Sequence, residues 1–539
     1  MKSLKKAIRF KLLVMKKLTL ILMTFVLSTA SFAGGLSPRE VIFKTDRQVY
    51  SLSEEKDPIE KANKLRRILN SFTRFIVEKG ISYEKKLKSG KPLSGSELEV
   101  LYRFVPTYRN ILIQAQIDLK PLSEVGTVEE RLLYLHNHLK LLQSLKTIHK
   151  AYFRPGIMRA QMHNAFKKAE QGSVKRDELL DLLHKVTSKE NQRALKYLYK
   201  EFYLNGSSNS EGTDRLHQLI SVNSLSKNFE EAKFINIWTY TFYDKLGQLG
   251  TEFEYLLSKG FGNVLGEVKF RKGFLHKNTE ALHEFKRKLM PLDIIIERSP
   301  FALTDMTIPG HWTHPAIWLG TEKQLKSLGL WEHPIFKPYQ KMISAGRNVL
   351  EALRPGVQIN PLSSYFNTDE ILLMRVPNVL KDRQRTLAVY ERALGHYGQA
   401  YDFNFDSSST DVIVCSELIF QAFGNINWPT DTVLGRHTVT PDNIAELIFY
   451  KDSPVDFVTI FGVNQRKSMY ELDKDDVAGF MGFSLDKEKS LIEDQAIYKK
   501  SVTKCDIKTS RVRVGSRRMK SLQINDCDEV LIPAVYTGN

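Results

Sequence analysis

Asp411-Val-Ile-Val-Cys-Ser-Glu-Leu-Ile-Phe-Gln-Ala-Phe423 is the stretch on which the reading of this chain turns. A β-branched run leads into Cys415, and apolar residues then recur at helical spacing as Leu418, Ile419, Ala422 and Phe423. The pattern predicts a thiol in the first turn of a buried helix. Free N–H groups and the positive dipole end at such a position favour a thiolate and make a thiol a better nucleophile. A lone cysteine in an apolar run is also an ordinary small core residue. The rest of the chain has to separate these two readings.

Cysteine usage bears on it first. The chain has 539 residues and three cysteines. Cys505 and Cys527 lie close together near the end, and Cys415 stands alone. A bridge between Cys505 and Cys527 is the economical assignment for an exported chain, and it leaves Cys415 as an unpaired thiol. Export itself is expected from residues 1–33. Lys16 and Lys17 precede the apolar run Leu18 to Ala30, and Ser31-Phe32-Ala33 supplies small residues at a cleavage site. The run is short of the ~20 residues that span a bilayer; an uncleaved anchor is the alternative, and Met15 is a second candidate start. The formal net charge is +18; residues 1–33 hold seven basic residues and no acid, so a processed chain carries +11. For an exported basic protein the expected polyanions are wall polymers, anionic headgroups or acidic sugars, not nucleic acid, although a merely soluble basic surface gives the same count.

The length calls for several domains. Residues 34–264 are expected to form a helical region, irregular and polar to about residue 55 and then helical over Ile59–Lys79, Glu97–Leu119, Val128–Tyr152, Arg176–Phe202 and Asn228–Leu257. Gly80, Gly90, Pro106 and Gly172 read as punctuation between helices. The scattered histidines, His136 among them on an apolar face, share no metal-ligand spacing. This region carries no chemistry and is expected to serve a protein partner, the wall or the shielding of a site. Near residue 265 the texture changes to short β-like runs at 293–297, 313–319, 348–353 and 370–375, followed by a helix over 381–394 and the Cys415 helix. Strands and helices mixed in this way indicate an α+β domain over 265–450. Residues 451–539 read as a small β-rich extension. No Gly-rich nucleotide loop is present, and neither a cofactor nor a metal centre is expected.

A thiolate nucleophile needs a base and a group that orients the base. His311 and His314, in Gly310-His-Trp-Thr-His-Pro-Ala-Ile-Trp-Leu-Gly320, are the candidate bases. Pro315 forces extended backbone at His314 and so places it on or at the start of a strand. Alternation then puts His314, Ala316 and Trp318 on one face and Pro315, Ile317 and Leu319 on the other. His311 and Trp312 precede the strand and are candidate substrate contacts. Glu351 is a carboxylate inside an apolar strand; a charged partner such as His314 would account for it, and so would a solvent-facing position.

The order of these segments carries a resemblance. An Asp-Ile-Ile strand is followed by Thr-His-x-Ala-Ile-Trp-Leu-Gly, Val-Leu-Glu-Ala-Leu-x-Pro-Gly-Val, Tyr401-Asp-Phe-x-Phe405, Val-Cys-Ser-Glu-Leu-Ile and Thr440-Pro441-Asp442. This resembles the circularly permuted NlpC-type, papain-like cysteine hydrolases of the YiiX/YebB-like group, over roughly residues 285–445. The resemblance implies a permuted papain-like catalytic domain in which Cys415 is the nucleophile, His314 the general base and Glu351 the polar third member. Tyr401 matches an aromatic beside the nucleophile. Pro291-Leu292-Asp293 departs from the group's pattern, which usually has Gly before Asp. Amide hydrolysis in bacterial cell-wall peptides, in the periplasm or outside the cell, is the function implied first. A likeness of the subgroup to lecithin:retinol acyltransferase-like enzymes makes an acyl-lipid substrate the alternative, and a non-catalytic wall- or partner-binding protein the third.

Overall fold

The computed structural model describes residues 37–117, 128–171, isolated positions between 181 and 198, 271–299, 310–353, 355–401, 412–433, 436–464, 468–514 and 518–538. The leader, and the expected helices over 176–202 and 228–257 apart from those isolated positions, lie outside the described residues.

The helical region begins earlier than its polar composition suggests. Helix α1 (Pro38–Ser51) occupies a stretch expected to be irregular. Its start is fixed by a reciprocal cap between Ser37 and Glu40, with Pro38 in the first turn, and it buries Ile42, Thr45 and Val49. Helix α2 (Pro58–Lys88), α3 (Gly95–Ile117), α4 (Val128–Ile148) and α5 (Gly156–Gln171) follow, with a π-turn over His149–Phe153 after α4. Gly80 and Pro106 lie inside α2 and α3 and do not separate helices. Gly80 has a packing reason: a Cβ there would come within 2.9 Å of the Tyr152 ring. That ring is buried against Phe104, and its hydroxyl donates to the Ile76 carbonyl. His136 is fully buried, and burial with nearby Arg66 and Lys140 pushes its pKa down to about 4.

The α+β part is organised on one antiparallel sheet. Strands β1 (Ile294–Arg298), β2 (His314–Trp318), β3 (Arg347–Leu353), β4 (Gly356–Pro361) and β5 (Glu370–Arg375) come from the expected segments, with β4 added. The short strands β6 (Ala400–Tyr401) and β7 (Val412–Ile413) pair in parallel, and β8 (Asp431–Val433) pairs with β9 (Arg436–Thr438). β10 (Asp456–Val463) and β11 (Met469–Leu472) complete the large sheet, whose order is β11-β10-β5-β1-β2-β3-β4. The boundary expected at residue 450 is therefore corrected: β10 pairs along β5, so the sheet domain runs on to Leu472. Beyond it, β12 (Phe483–Leu485) joins the long hairpin of β13 (Tyr498–Val514) and β14 (Arg518–Pro533). Cys505 stands opposite Cys527 in that hairpin, Cys527 is disulfide-bonded and Cys415 is free.

Alternation along the strands gives the sheet two apolar faces. Ile295, Ala316, Trp318, Val349, Ile371 and Leu373 pack with Phe285 of helix α6 (Thr279–Lys288) and with Tyr365 and Phe366. Ile294, Ile296, Ile317, Leu350, Leu372 and Met374 belong to the main core, which includes helix α7 (Arg383–Leu394) and helix α8 (Cys415–Ala422). All eight residues of α8 are buried. The helical region meets α8 at its far end, where two glycines permit backbone contact. A Cβ on Gly424 would lie 2.3 Å from the Ser96 nitrogen, and one on Gly95 2.6 Å from the Phe420 carbonyl oxygen. The Ser96 N–H donates to the Gly424 carbonyl across this contact. Among the described residues no helix is long and apolar enough to cross a membrane.

Candidate active site

His314 opens β2, and the preceding residue fixes it there. Thr313 gives both its N–H and its hydroxyl to the Glu297 carbonyl at the end of β1. The histidine ring reaches across to β3, where Nε2 lies 2.9 Å from Oε2 of Glu351. A carboxylate only accepts, so Nε2 carries the proton. The other carboxylate oxygen accepts from Asn360 Nδ2 on β4, also at 2.9 Å. Glu351 is 5% exposed, so the solvent-facing alternative does not hold, and both of its oxygens are satisfied by side chains. The Tyr365 hydroxyl sits 2.5 Å from the His314 carbonyl oxygen and 3.0 Å from that of Ile295. Its ring lies 5.8 Å from the imidazole.

Cys415 completes the group from the first turn of α8. Burial alone would push the His314 pKa down. Side-chain hydrogen bonds to Cys415 and Glu351, and the charges of both, outweigh burial and hold it well above its ordinary value. With Nε2–H committed to Glu351, Nδ1 is the ring nitrogen left to exchange a proton with sulfur. The residues around Cys415 hold the helix start in place. Glu417 accepts the Val414 N–H at 2.9 Å, and the Ser416 hydroxyl donates to the Val439 carbonyl. The first-turn amides of a helix have no intrahelical acceptor. An oxygen bearing developing charge beside the thiol would meet them.

The other expected contacts are distributed differently. Tyr401 is half-buried and lies opposite Ile413 in the β6–β7 pair, two residues from Cys415 in register. The expectation that Trp312 contacts substrate is corrected: it is 1% exposed, its indole N–H donates to Met481 sulfur, and its backbone N–H donates to Asp442. His311 lies beside it. Its ring stacks on Phe480 and faces Glu370 at 3.8 Å, and burial with Arg298 nearby lowers its pKa to about 4. Its backbone N–H goes to Asp442, which sits in helix α9 (Pro441–Ala445). Asp442 thus anchors the loop that precedes His314. Gly310 makes room for that carboxylate; a Cβ there would come within 2.6 Å of it, at φ +138°.

Sequence reasoning missed Asn360, Tyr365 and the capping role of Glu417. Only Glu417 had a local signal, an acid three residues after a helix cap. The departure at Leu292 also resolves: Leu292 has φ +65°, a left-handed conformation that glycine adopts without cost. The position still demands that geometry, because Leu292 N–H donates to the Trp318 carbonyl while Asp293, fully buried, receives Arg375 at 2.7 and 2.8 Å.

No curated protein and no solved structure matches this chain. Residues 289–472, a third of the chain, match the family model described as Peptidase_C92, permuted papain-like amidase enzyme, YaeF/YiiX, C92 family. The match ends where β11 ends, and it spans His314, Glu351 and Cys415. On that match, residues 289–472 are a circularly permuted papain-like domain.

Proposed function

We propose that the protein is an exported cysteine hydrolase that cleaves amide bonds in cell-wall peptides. The family carries a hydrolase activity of the amidase type. The observation that supports the finer reading is the placement of His314 between a free thiol and a satisfied carboxylate. In this reading the Cys415 sulfur attacks the substrate carbonyl carbon, and the first-turn amides of α8 stabilise the oxyanion. His314 gives its Nδ1 proton to the departing amine nitrogen as the C–N bond breaks, leaving a thioester. Water, deprotonated by His314, then attacks the thioester, and the carboxylic acid leaves as the thiol is restored. Glu351 holds the ring and the charge it bears, and Asn360 holds Glu351. Tyr401, beside β7, is assigned to the wall of the substrate cleft.

The substrate class rests on the leader-like N-terminus and the basic net charge. Two experiments test the proposal. A thiol-reactive acyl probe should label the wild-type protein at neutral pH and fail to label Cys415→Ala; labelling that survives the substitution refutes the nucleophile. Incubation with purified wall fragments should release new amines and carboxylates detected by mass. Release of fatty acid from phospholipid, with wall fragments left intact, would replace the peptide reading with the acyl-lipid one.

A further inference from the structure

Helices α2 and α4 run side by side in the same direction. Thr73 Oγ1 lies 2.7 Å from Ser144 Oγ, and farther along both, the Tyr152 hydroxyl donates to the Ile76 carbonyl. One or two turns back along the same faces stand Arg66 on α2 and Lys140 and His136 on α4. His136 is fully buried, and neither Nδ1 nor Nε2 has a hydrogen-bond partner among the described residues. An imidazole buried with both nitrogens unpaired gives up its hydrogen bonds to water and gains none in return, which marks the place of a polar guest.

The neighbouring charges say what kind of guest. Arg66 is half-buried, and its Nε is buried without a partner among the described residues. Lys140 is 6% exposed, and its ammonium donates to the Gln143 amide oxygen, a neutral acceptor, at 3.1 Å. Neither cation has an ion pair among the described residues. The charges are felt within the group. Burial, and after it Arg66, lowers the Lys140 pKa; burial, then Arg66 and Lys140, lowers that of His136. Two cations gathered on one seam without a carboxylate repel each other, and burial strengthens the repulsion. A dianion between them removes it. A neutral imidazole presents one N–H and one lone pair, so a guest that pairs both must accept and donate. Hydrogen phosphate does so: it has two negative charges, oxygens that fit a guanidinium fork, and one O–H.

We infer that the α2–α4 seam binds inorganic phosphate, with Arg66 and Lys140 on its charged oxygens and His136 giving its N–H to one oxygen and accepting the O–H of another. The half-buried Arg66 is where the guest enters from solvent. The site lies in the helical region and stands apart from the hydrolase reading, since none of these residues belongs to the group at Cys415. Bound phosphate ties α2 to α4.

The test is direct binding to the full-length protein in a phosphate-free buffer at about pH 8. Calorimetry should give saturable phosphate binding below about 1 mM, and thermal shift a Tm that rises with phosphate. Arsenate, which keeps a proton at that pH, should bind within tenfold of phosphate. Sulfate, of the same charge but without a proton, should bind at least tenfold more weakly. Arg66→Met and Lys140→Met should each weaken phosphate binding tenfold or more, with a ligand-free Tm unchanged or higher, because each removes one of two repelling charges. A pair with only a structural role would instead lose ligand-free stability. The two variants lie on different helices, so if one fails to fold the other decides. Absence of saturable phosphate binding, sulfate binding within tenfold of phosphate, or undiminished phosphate affinity in a folded variant would overturn the proposal.

Discussion

Glu351→Gln is the substitution that asks most of the proposed site, because it changes one atom and no volume. Glu351 accepts two hydrogen bonds, from His314 Nε2 and from Asn360 Nδ2, each at 2.9 Å. A carboxylate can do this; an amide has one accepting oxygen. If the new oxygen faces Asn360, the new NH₂ faces His314 and forces the ring proton onto Nδ1, where it blocks proton transfer from sulfur. If the oxygen faces His314, a donor meets a donor at Asn360. Either way a charge-assisted hydrogen bond is lost, about 1.5–3 kcal/mol, which corresponds to roughly 10- to 150-fold in rate. Alkylation of Cys415 by iodoacetamide, followed by mass, reads this without knowledge of the substrate. At pH 6 the variant should react one to two orders of magnitude more slowly than wild type. The stability profile has a defined sign. A histidine raised above its ordinary value contributes stability that is fully present below about pH 6.5 and is lost as pH rises through the raised value. The deficit of Glu351→Gln in denaturant unfolding should therefore be largest near pH 6 and shrink at alkaline pH. Equal alkylation rates at pH 6, within twofold, would refute the role given to Glu351.

Other consequences are separable from catalysis. Tyr365→Phe should cost about 1–3 kcal/mol in urea unfolding, because it leaves the buried carbonyls of His314 and Ile295 without a side-chain donor. Leu292→Gly relieves a left-handed leucine, worth about 1–2 kcal/mol, but removes a side chain that is 2% exposed, worth about 2–5 kcal/mol; net destabilisation is expected, and a more stable variant would contradict the burial. Gly424→Ala should release the helical region from the sheet domain, seen as new protease cleavage in residues 37–117, since its Cβ cannot fit against Ser96. His136, His311 and His396 have pKa values lowered to about 4, 4 and 3 by burial, so they resist protonation in the fold. Their contribution to stability should be present above about pH 6.5 and fall away as pH drops towards 4, measured as a declining denaturation midpoint.

Local pattern reached some of this and not the rest, for physical reasons. The runs at 293–297, 348–353 and 370–375 became β1, β3 and β5 because β-branched and aliphatic residues buried on both faces leave few other structures open. β4 was hidden by Pro355-Gly356, which looks like the end of a segment and is the turn of a hairpin. β10 was assigned to the wrong domain because its partner, β5, lies some eighty residues earlier, and no local pattern encodes that pairing. The same limit applies at the site. Cys415, His314 and Glu351 are residue types whose chemistry marks them, and the sheet brings them together. Asn360 and Tyr365 are ordinary strand and turn residues until β3, β4 and β2 are laid side by side. Trp312 and His311 looked chemical in sequence, and the neighbours that surround them, Asp442, Phe480 and Met481, come from segments far along the chain that no local pattern reveals.

The nucleophile helix is held at both ends, and the two restraints come from different parts of the chain. At its start, Glu417 and Ser416 fix the backbone around Cys415. At its end, the Arg392 guanidinium donates to the Ala422 carbonyl at 2.8 Å, a cation placed where the helix dipole is negative. The same guanidinium reaches Glu99 of α3 at 3.2 Å, and Glu99 holds Arg39 of α1 at 3.1 Å. One carboxylate from the helical region thus sets the position of the arginine that caps the Cys415 helix. Burial alone would raise the pKa of Glu99; the three arginines outweigh it and hold the carboxylate ionised below its usual range. Removing Glu99 would leave a desolvated arginine without its charge partner, a costly state that the end of α8 would have to absorb. The helical region thus supports the end of the helix that carries the thiol.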